Sequence, residues 1–243
     1  MPVTIMDLAQ ASNSVYNINK TRGSTAPTET PEKSPPGYNT LLALEAIETG
    51  FLGAVYEKFR VNALIVALRG TVANEGSKGR LVGGSNIATD VGLWAIESAP
   101  ASLKHAAMLI EQAQACAGNR QVILTGHSLG GALAVIAAVQ HGLPAAVFNA
   151  PSVSKMLRGG VFRGATVQVS AAQLNAAETD ILNFNMQYDP VSKSSTAVGR
   201  VQQLPRDGRN IFAQHSQDKV INSLRKTNWG NVTFDYALQI VPS

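Results

Sequence analysis

The fold is decided by residues 121–139, QVILTGHSLGGALAVIAAV. Residues 121–125 are mostly apolar and favour a buried strand, whereas 132–139 consist of alanine and other apolar residues at helical length. The residues between them match G-x-S-x-G, in which a serine occupies a sharp turn from strand to helix with its hydroxyl exposed. Glycine suits the positions where strand and helix converge, because it has no Cβ. The stretch therefore predicts a strand, a tight turn carrying Ser128, and a helix.

The residue after this serine, Leu129, stands at the predicted start of the helix. Backbone N–H groups in the first turn of a helix have no acceptor within it and can donate to an anion. We therefore expect the N–H of Leu129 to face the oxyanion that forms when Ser128 attacks a carbonyl. A structural turn with an unreactive serine is the alternative, and the flanking strand and helix weigh against it.

Composition predicts a single folded domain, residues 1–243, with no internal repeat. The chain is 45% hydrophobic and 15% charged, which is ordinary for a globular protein. Its net charge of +4 comes without blocks of like charge, and its basic residues do not alternate with aromatic ones. Nucleic-acid binding is therefore disfavoured. Attraction to an anionic lipid surface and a merely solvated basic face both fit the charge.

Cysteine count and hydropathy exclude internal disulfides, cysteine metal sites and membrane-spanning segments. Cys116 is the only cysteine, so no disulfide or cysteine metal site can form within the chain, and we expect a buried structural thiol. No apolar run approaches the ~18 residues of a membrane span. The N-terminus lacks the pattern of a signal peptide. These features predict a protein without transmembrane segments, either cytoplasmic or exported by a route that needs no signal peptide.

Other segments place this strand and helix in a larger sheet. Strands are expected within 51–59, 61–68, 145–148 and 182–188, and helices within 5–16 and 102–117, whereas 21–38 predicts an irregular loop. Strands and helices alternate, which indicates an α/β fold with a mostly parallel sheet flanked by helices.

A serine nucleophile needs a base, and in this type of fold the acid and then the histidine follow the serine in the chain. Only His141 and His215 follow Ser128. His141 ends the predicted helix, roughly 20 Å from its start at ~1.5 Å per residue, which leaves His215 as the base. His105 is expected on the surface, and His127 in a packing or supporting position.

The candidate acid is Asp189, because it comes directly after a predicted strand, where ligand-facing loops of parallel sheets begin. A turn aspartate before Pro190 is the alternative explanation. Asp180 precedes the same strand and so lies at the wrong end, while Asp207 and Asp218 are alternatives in loops. Thr71 follows a buried strand and is expected to supply the second oxyanion donor. Arg69 either holds that loop or is only a charge at the end of the strand.

Four segments together resemble the class 3 lipases, a family of fungal secreted lipases and related bacterial lipases and phospholipases. They are 65–71 (IVALRGT), Asn86 with Asp90, 126–131 (GHSLGG), and 188–191 (YDPV) with His215. The resemblance extends from about Ala54 to His215. Three departures concern the pocket and not the catalytic groups: Leu68 replaces phenylalanine, Ile87 replaces tryptophan, and 149–151 (NAP) replaces a turn with glycine.

The resemblance implies an α/β-hydrolase fold and a serine hydrolase that cleaves carboxylic ester bonds of lipids without a cofactor or metal. Ser128 would be the nucleophile, His215 the base and Asp189 its partner, with Thr71 and Leu129 at the oxyanion hole. Residues 71–100 would form a lid whose Ile87, Val91 and Trp94 contact substrate or, alternatively, pack into the core.

Two other functions stay open at this point: an esterase for short-chain or polymeric substrates, and a non-catalytic protein that binds lipid or a partner. Within the leading interpretation the substrate would be a lipid ester at a membrane or lipid interface. The basic charge tilts the choice between neutral glycerides and phospholipids slightly towards phospholipids.

Overall fold

In the part of the chain that the structure describes, seven strands lie side by side in one sheet, and their spatial order equals their order in the chain. The computed structural model describes residues 1–16, 34–46, 48–69, 99–159, 167, 169–194, 196–210 and 212–242. The strands are β1 Asn39–Ala46, β2 Phe51–Glu57, β3 Ala63–Arg69, β4 Gln121–His127, β5 Ala145–Phe148, β6 Ile181–Met186 and β7 Arg200–Leu204.

Helices connect and cover these strands. They are α1 Ile5–Ser14, α2 Ala99–Ala117, α3 Leu129–His141, α4 Ser154–Gly159, α5 Ala171–Asp180, α6 Gln217–Lys226 and α7 Phe234–Ile240. Among the described residues, short 3₁₀ turns accompany them at Ser192–Ser194, Phe212–His215 and Trp229–Asn231.

Strands β3 to β7 are all parallel, and β1 and β2 extend the sheet as antiparallel strands. Parallel neighbours end at the same edge of a sheet, so β4, β5, β6 and β7 present their carboxyl ends together. We call this the carboxyl edge. Residues that follow these four strands can therefore meet there although they are distant in sequence.

The two faces of the sheet are buried by different helices. Leu64, Val66 and Leu68 of β3 pack into one core with α2 and α3. Ile65 and Ala67 of the same strand pack into the other core with α1, α6 and α7. Both faces are covered, which explains why β3 is apolar at nearly every position. The expected α/β architecture with a mostly parallel sheet and flanking helices is confirmed.

Several details differ from the sequence-based expectation. Strands β1 and β7 and helices α4, α5 and α7 were not predicted, and α2 begins three residues before the predicted start, at Ala99. Cys116 is exposed on α2, not buried. Asp180 ends α5 just before β6, and so lies at the amino edge as expected. The proposed lid residues 71–98 lie outside the described part of the chain.

Candidate active site

Ser128 occupies the turn between β4 and α3 in a conformation that few side chains adopt. Its φ is 56° and its ψ −128°. Its backbone N–H donates to the carbonyl oxygen of Phe148, at 3.0 Å, which anchors the turn to the end of β5. A serine at positive φ is strained, and such strain is maintained where the surrounding structure fixes the geometry. The turn thus presents the hydroxyl at the carboxyl edge.

Glycines make this turn sterically feasible. A Cβ on Gly126 would lie 2.4 Å from the carbonyl carbon and oxygen of Gly130. One on Gly131 would lie 2.8 Å from the Cβ of Ala150. Both distances are shorter than a real Cβ contact, so helix α3 could not approach β4 and β5 this closely with larger residues. The predicted need for glycine where strand and helix converge therefore has a direct structural cause.

His215 bridges the serine and the acid. It ends the 3₁₀ turn Phe212–His215 that precedes α6. Its Nε2 lies 2.7 Å from the Oγ of Ser128, and its Nδ1 lies 2.9 Å from Oδ1 of Asp189. These are hydrogen-bond distances in a nucleophile–base–acid arrangement. The structure thus brings together Ser128, Asp189 and His215, which the sequence analysis had selected from separate segments.

Asp189 is fully buried and has donors on both oxygens. Besides His215, its Oδ2 accepts the backbone N–H of Ser192 at 2.9 Å, and its Oδ1 that of Val191 at 3.4 Å. Burial by itself raises the pKa of this carboxyl group, but hydrogen bonds from His215 and Ser192 outweigh it and hold the pKa below its usual range. The carboxylate is therefore ionised and can orient His215.

The alternative acid Asp207 has different partners. Its carboxylate accepts from Lys219, at 3.2 Å, and from Lys226, both on α6. Hydrogen bonds from these lysines, Lys226 first, lower its pKa to about 2. Its backbone N–H donates to Oε1 of Gln214, the residue before His215. Asp207 thus supports the histidine turn, and Asp189 is the carboxylate that contacts the imidazole. Asp218, the other alternative, lies in the first turn of α6.

His127 belongs to the same cluster, in the supporting position that the sequence predicted. It is buried, its Nε2 lies 2.6 Å from the backbone carbonyl oxygen of His215, and the ring centroids of the two histidines are 4.9 Å apart. Burial, with a smaller contribution from repulsion by His215, lowers the pKa of His127 to about 3. The neutral ring must therefore donate Nε2–H to that carbonyl. Tyr16 donates to the carbonyl oxygen of His127 at 3.1 Å.

Asn149, which follows β5, is a residue whose role sequence reasoning missed. It is fully buried with φ 48°. Its Nδ2 donates to the carbonyl of Gln214 at 2.9 Å, and its Oδ1 accepts the N–H of Met186 at 2.8 Å. Asn149 therefore joins the end of β6 to the histidine turn. The residue type could have indicated this turn, because asparagine adopts positive φ more readily than most residues with a Cβ.

The remaining candidates fall into three groups. Leu129 begins α3, so its N–H has no acceptor within the helix and is available beside Ser128. His141 ends α3, away from Ser128 as expected. His105, expected on the surface, is partly exposed and contacts Glu48 at 3.6 Å. Outside the described residues lie the predicted oxyanion and lid residues Thr71, Ile87, Val91 and Trp94.

In the described part of the chain, no cluster of histidine, cysteine, aspartate or glutamate could hold a metal ion. Among the same residues, no helix combines the length and apolarity that crossing a membrane requires.

Comparison with known proteins gives one family match and several similar folds. The model of a phospholipase-like family, the Tle-like phospholipase domain, matches residues 7–205. No curated protein matches the chain in sequence.

Solved structures of lipases are similar to this chain. A fungal lipase is 17% identical, with 84% of this chain and 80% of that chain covered and a TM-score of 0.50. The Lip2 lipase of Yarrowia lipolytica is 12% identical, with 83% and 77% covered and a TM-score of 0.49. The lipase of Rhizopus microsporus var. chinensis is 15% identical, with 86% and 78% covered and a TM-score of 0.45.

Proposed function

The chain belongs to the phospholipase-like family of Tle-like phospholipase domains, and we propose that Ser128, His215 and Asp189 are its catalytic triad. It is a serine hydrolase of carboxylic esters with an α/β-hydrolase fold, as the resemblance to class 3 lipases implied. The observation that carries the residue assignment is the pair of contacts on one imidazole, 2.7 Å to Ser128 and 2.9 Å to Asp189.

In the proposed reaction, the Oγ of Ser128 attacks the ester carbonyl carbon while Nε2 of His215 takes the hydroxyl proton. The tetrahedral intermediate collapses, the C–O bond to the alcohol breaks, and His215 returns the proton to the leaving alkoxide. A water molecule, deprotonated by His215, then attacks the acyl-enzyme. The fatty acid leaves and Ser128 regains its proton. Asp189 stays ionised throughout and stabilises the imidazolium form of His215.

The oxyanion would be stabilised by two donors. The N–H of Leu129 is supported by its place at the start of α3, one residue from the nucleophile. Thr71 is proposed as the second donor, because it follows β3, the strand next to β4. Residues 71–100 are proposed as a lid, with Ile87, Val91 and Trp94 contacting substrate.

We propose phospholipids as the preferred lipid esters, at a membrane or other lipid interface. The family description and the net charge of +4 support this choice over neutral glycerides, because phospholipid surfaces are commonly anionic.

The test uses mixed vesicles of phospholipid and triglyceride, incubated with the parent protein, with Ser128→Ala and with Ser34→Ala. Ser34 is a matched control, since its hydroxyl contacts Thr40 near the start of β1, away from the site. Products are identified by mass spectrometry. We expect lysophospholipid and fatty acid from the parent and from Ser34→Ala. Loss of the nucleophile should reduce the rate by about 10⁴-fold or more.

Each other outcome contradicts one part of the proposal. Diacylglycerol with intact phospholipid would reject the substrate choice. Undiminished hydrolysis by Ser128→Ala would reject the nucleophile. Activity on short-chain soluble esters without lipid hydrolysis would indicate a short-chain esterase. A parent protein that neither turns over nor reacts with a fluorophosphonate would be a binding protein.

A further inference from the structure

Tyr188 is an exposed aromatic residue held beside the catalytic acid by an unusual turn. Its φ is 66°, a value that bulky side chains rarely adopt, and 52% of its surface is exposed. The next residue, Asp189, is fully buried, and its backbone N–H donates to the carbonyl oxygen of Met186 at 3.1 Å. The same reversal that buries the carboxylate thus directs Tyr188 to the surface. Glycine would adopt this turn without strain, so the conformation does not explain the presence of a tyrosine.

Two cations contact the ring of Tyr188. Nζ of Lys193 lies 5.5 Å from the ring centroid, and Cζ of Arg206 lies 5.7 Å from it. Both residues are exposed. Among the described residues, no carboxylate pairs with either cation. Asp207, adjacent to Arg206 in sequence, is instead engaged by Lys219 and Lys226. We call Tyr188, Lys193 and Arg206 the cationic patch.

The cationic patch lies at the same edge of the sheet as the catalytic serine. Tyr188 and Lys193 belong to the connection that leaves β6, and Arg206 lies two residues after β7 ends. Ser128 and His215 stand at this carboxyl edge as well, so the patch and the nucleophile lie at the same end of the sheet. An aromatic ring flanked by lysine and arginine combines an amphipathic surface with positive charge, which suits the headgroup region of a bilayer.

We propose that the cationic patch docks the protein on bilayers that carry net negative charge, by contacting the phosphates of lipid headgroups. The inference rests on the proposed function, since docking at this edge would bring the site of ester hydrolysis to the lipid. The two cations supply the electrostatic attraction, and the ring of Tyr188 supplies contact at the interface.

The opposite edge of the sheet offers a matched control. The turn between β2 and β3 carries Lys58 and Arg60, which also lie over aromatic rings, Tyr38 at 5.1 Å and Phe59 at 5.1 Å. This turn is at the amino edge, because it leads into the start of β3. Removing these two cations changes the net charge as much as removing Lys193 and Arg206 does. A general charge effect would therefore be equal for the two pairs.

The experiment measures vesicle binding in the Ser128→Ala background, so that hydrolysis does not alter the lipids. The parent, Lys193→Gln with Arg206→Gln, and Lys58→Gln with Arg60→Gln are sedimented with phosphatidylcholine vesicles, with or without phosphatidylglycerol. Two interfacial cations are worth about 30-fold in affinity. We expect about this loss for the Lys193/Arg206 pair on anionic vesicles and little loss for the Lys58/Arg60 pair. Thermal unfolding of each variant verifies that it is folded.

Equal losses for the two pairs would overturn the proposal, as would equal binding of the parent to both kinds of vesicle. Because binding is measured without the nucleophile, its result is separate from that of the hydrolysis experiment. A protein that docks through the patch but cleaves no ester would reject the proposed function alone. One that cleaves phospholipid without using the patch would reject docking alone.

Discussion

Nε2 of His127 lies 2.6 Å from the backbone carbonyl oxygen of His215. His127, the residue before the nucleophile, therefore holds the backbone of the histidine that contacts Ser128. The contact is independent of the hydrogen bond between Ser128 and His215. It joins the turn after β4 to the turn before α6, and it requires a proton on Nε2 of His127. We infer that His127 is a positioning residue for His215.

Replacing His127 by phenylalanine removes the donor while keeping a ring of similar size. We expect kcat on a soluble short-chain ester to fall about 10- to 100-fold, because the imidazole of His215 is less well aligned, with little change in KM. His127→Gln carries an amide donor and should recover much of the loss. Steady-state kinetics, corrected for active enzyme by fluorophosphonate titration, separates misalignment from misfolding. Equal kcat for the phenylalanine variant and the parent would contradict the positioning role.

The buried His127 also predicts how stability depends on pH. Its pKa is about 3 in the folded protein and about 6.5 in the unfolded chain, so the unfolded state binds more protons between these values. Stability therefore falls as the pH is lowered from about 6.5 towards 3. The contribution of one such group is up to about 1.4 kcal/mol per pH unit.

Urea unfolding between pH 7 and about pH 4.5 measures this contribution. The free energy of unfolding of His127→Gln should fall less steeply than that of the parent, because the variant lacks the titrating group. Parallel curves for the two proteins would show that His127 is not held neutral in the folded state.

The nucleophile segment could be predicted because its physical requirements are local. Apolar residues before Ser128, small residues around it and helix formers after it define strand, turn and helix within one short stretch. The position of Asp189 after the alternating stretch 182–188 was likewise readable, although β6 itself ends at Met186 and a short turn precedes the acid. Its contact with His215 is a property of the parallel sheet, which brings the carboxyl ends of separate strands together.

The elements that were missed lack a local signal. Strand β7 is half exposed at the edge of the sheet and contains two glutamines, Gln202 and Gln203, so neither burial nor β-propensity marks it. Helix α5 buries only Ala177, and its ends are defined mainly by the capping box between Ser170 and Gln173. The role of Asn149 was not predicted, because it consists of hydrogen bonds to β6 and to the histidine turn, and the neighbouring sequence does not reveal these partners.

Asn149 provides a test of that network. Asn149→Gly keeps the positive φ available but leaves the carbonyl of Gln214 and the N–H of Met186 without their side-chain partner. We expect a loss of about 2–4 kcal/mol in the free energy of unfolding, since each buried unpaired group costs 1–3 kcal/mol. Asn149→Ala should lose about 1 kcal/mol more, because alanine disfavours left-handed backbone.

Denaturant unfolding ranks the two Asn149 variants against the parent. The expected order of stability is asparagine, then glycine, then alanine. A glycine variant at least as stable as the parent would show that only the backbone conformation matters at this position.

Gly126 provides the sharpest test of the serine turn. In Gly126→Ala the new Cβ would meet the backbone carbonyl of Gly130 at 2.4 Å, and neither partner is a flexible side chain. Either α3 moves away from β4 or the turn changes shape, and both displace Ser128 from His215. We expect a destabilisation of about 3 kcal/mol and loss of most ester hydrolysis, measured by thermal unfolding and turnover.

Gly131→Ala, with a milder contact of 2.8 Å to Ala150, should lie between this variant and the parent in both stability and activity. Gly159→Ala is the control, because its Cβ would meet no atom of the described residues within 4 Å. If Gly126→Ala were as active and stable as Gly159→Ala, the close approach of helix and strand would not be what holds the nucleophile in place.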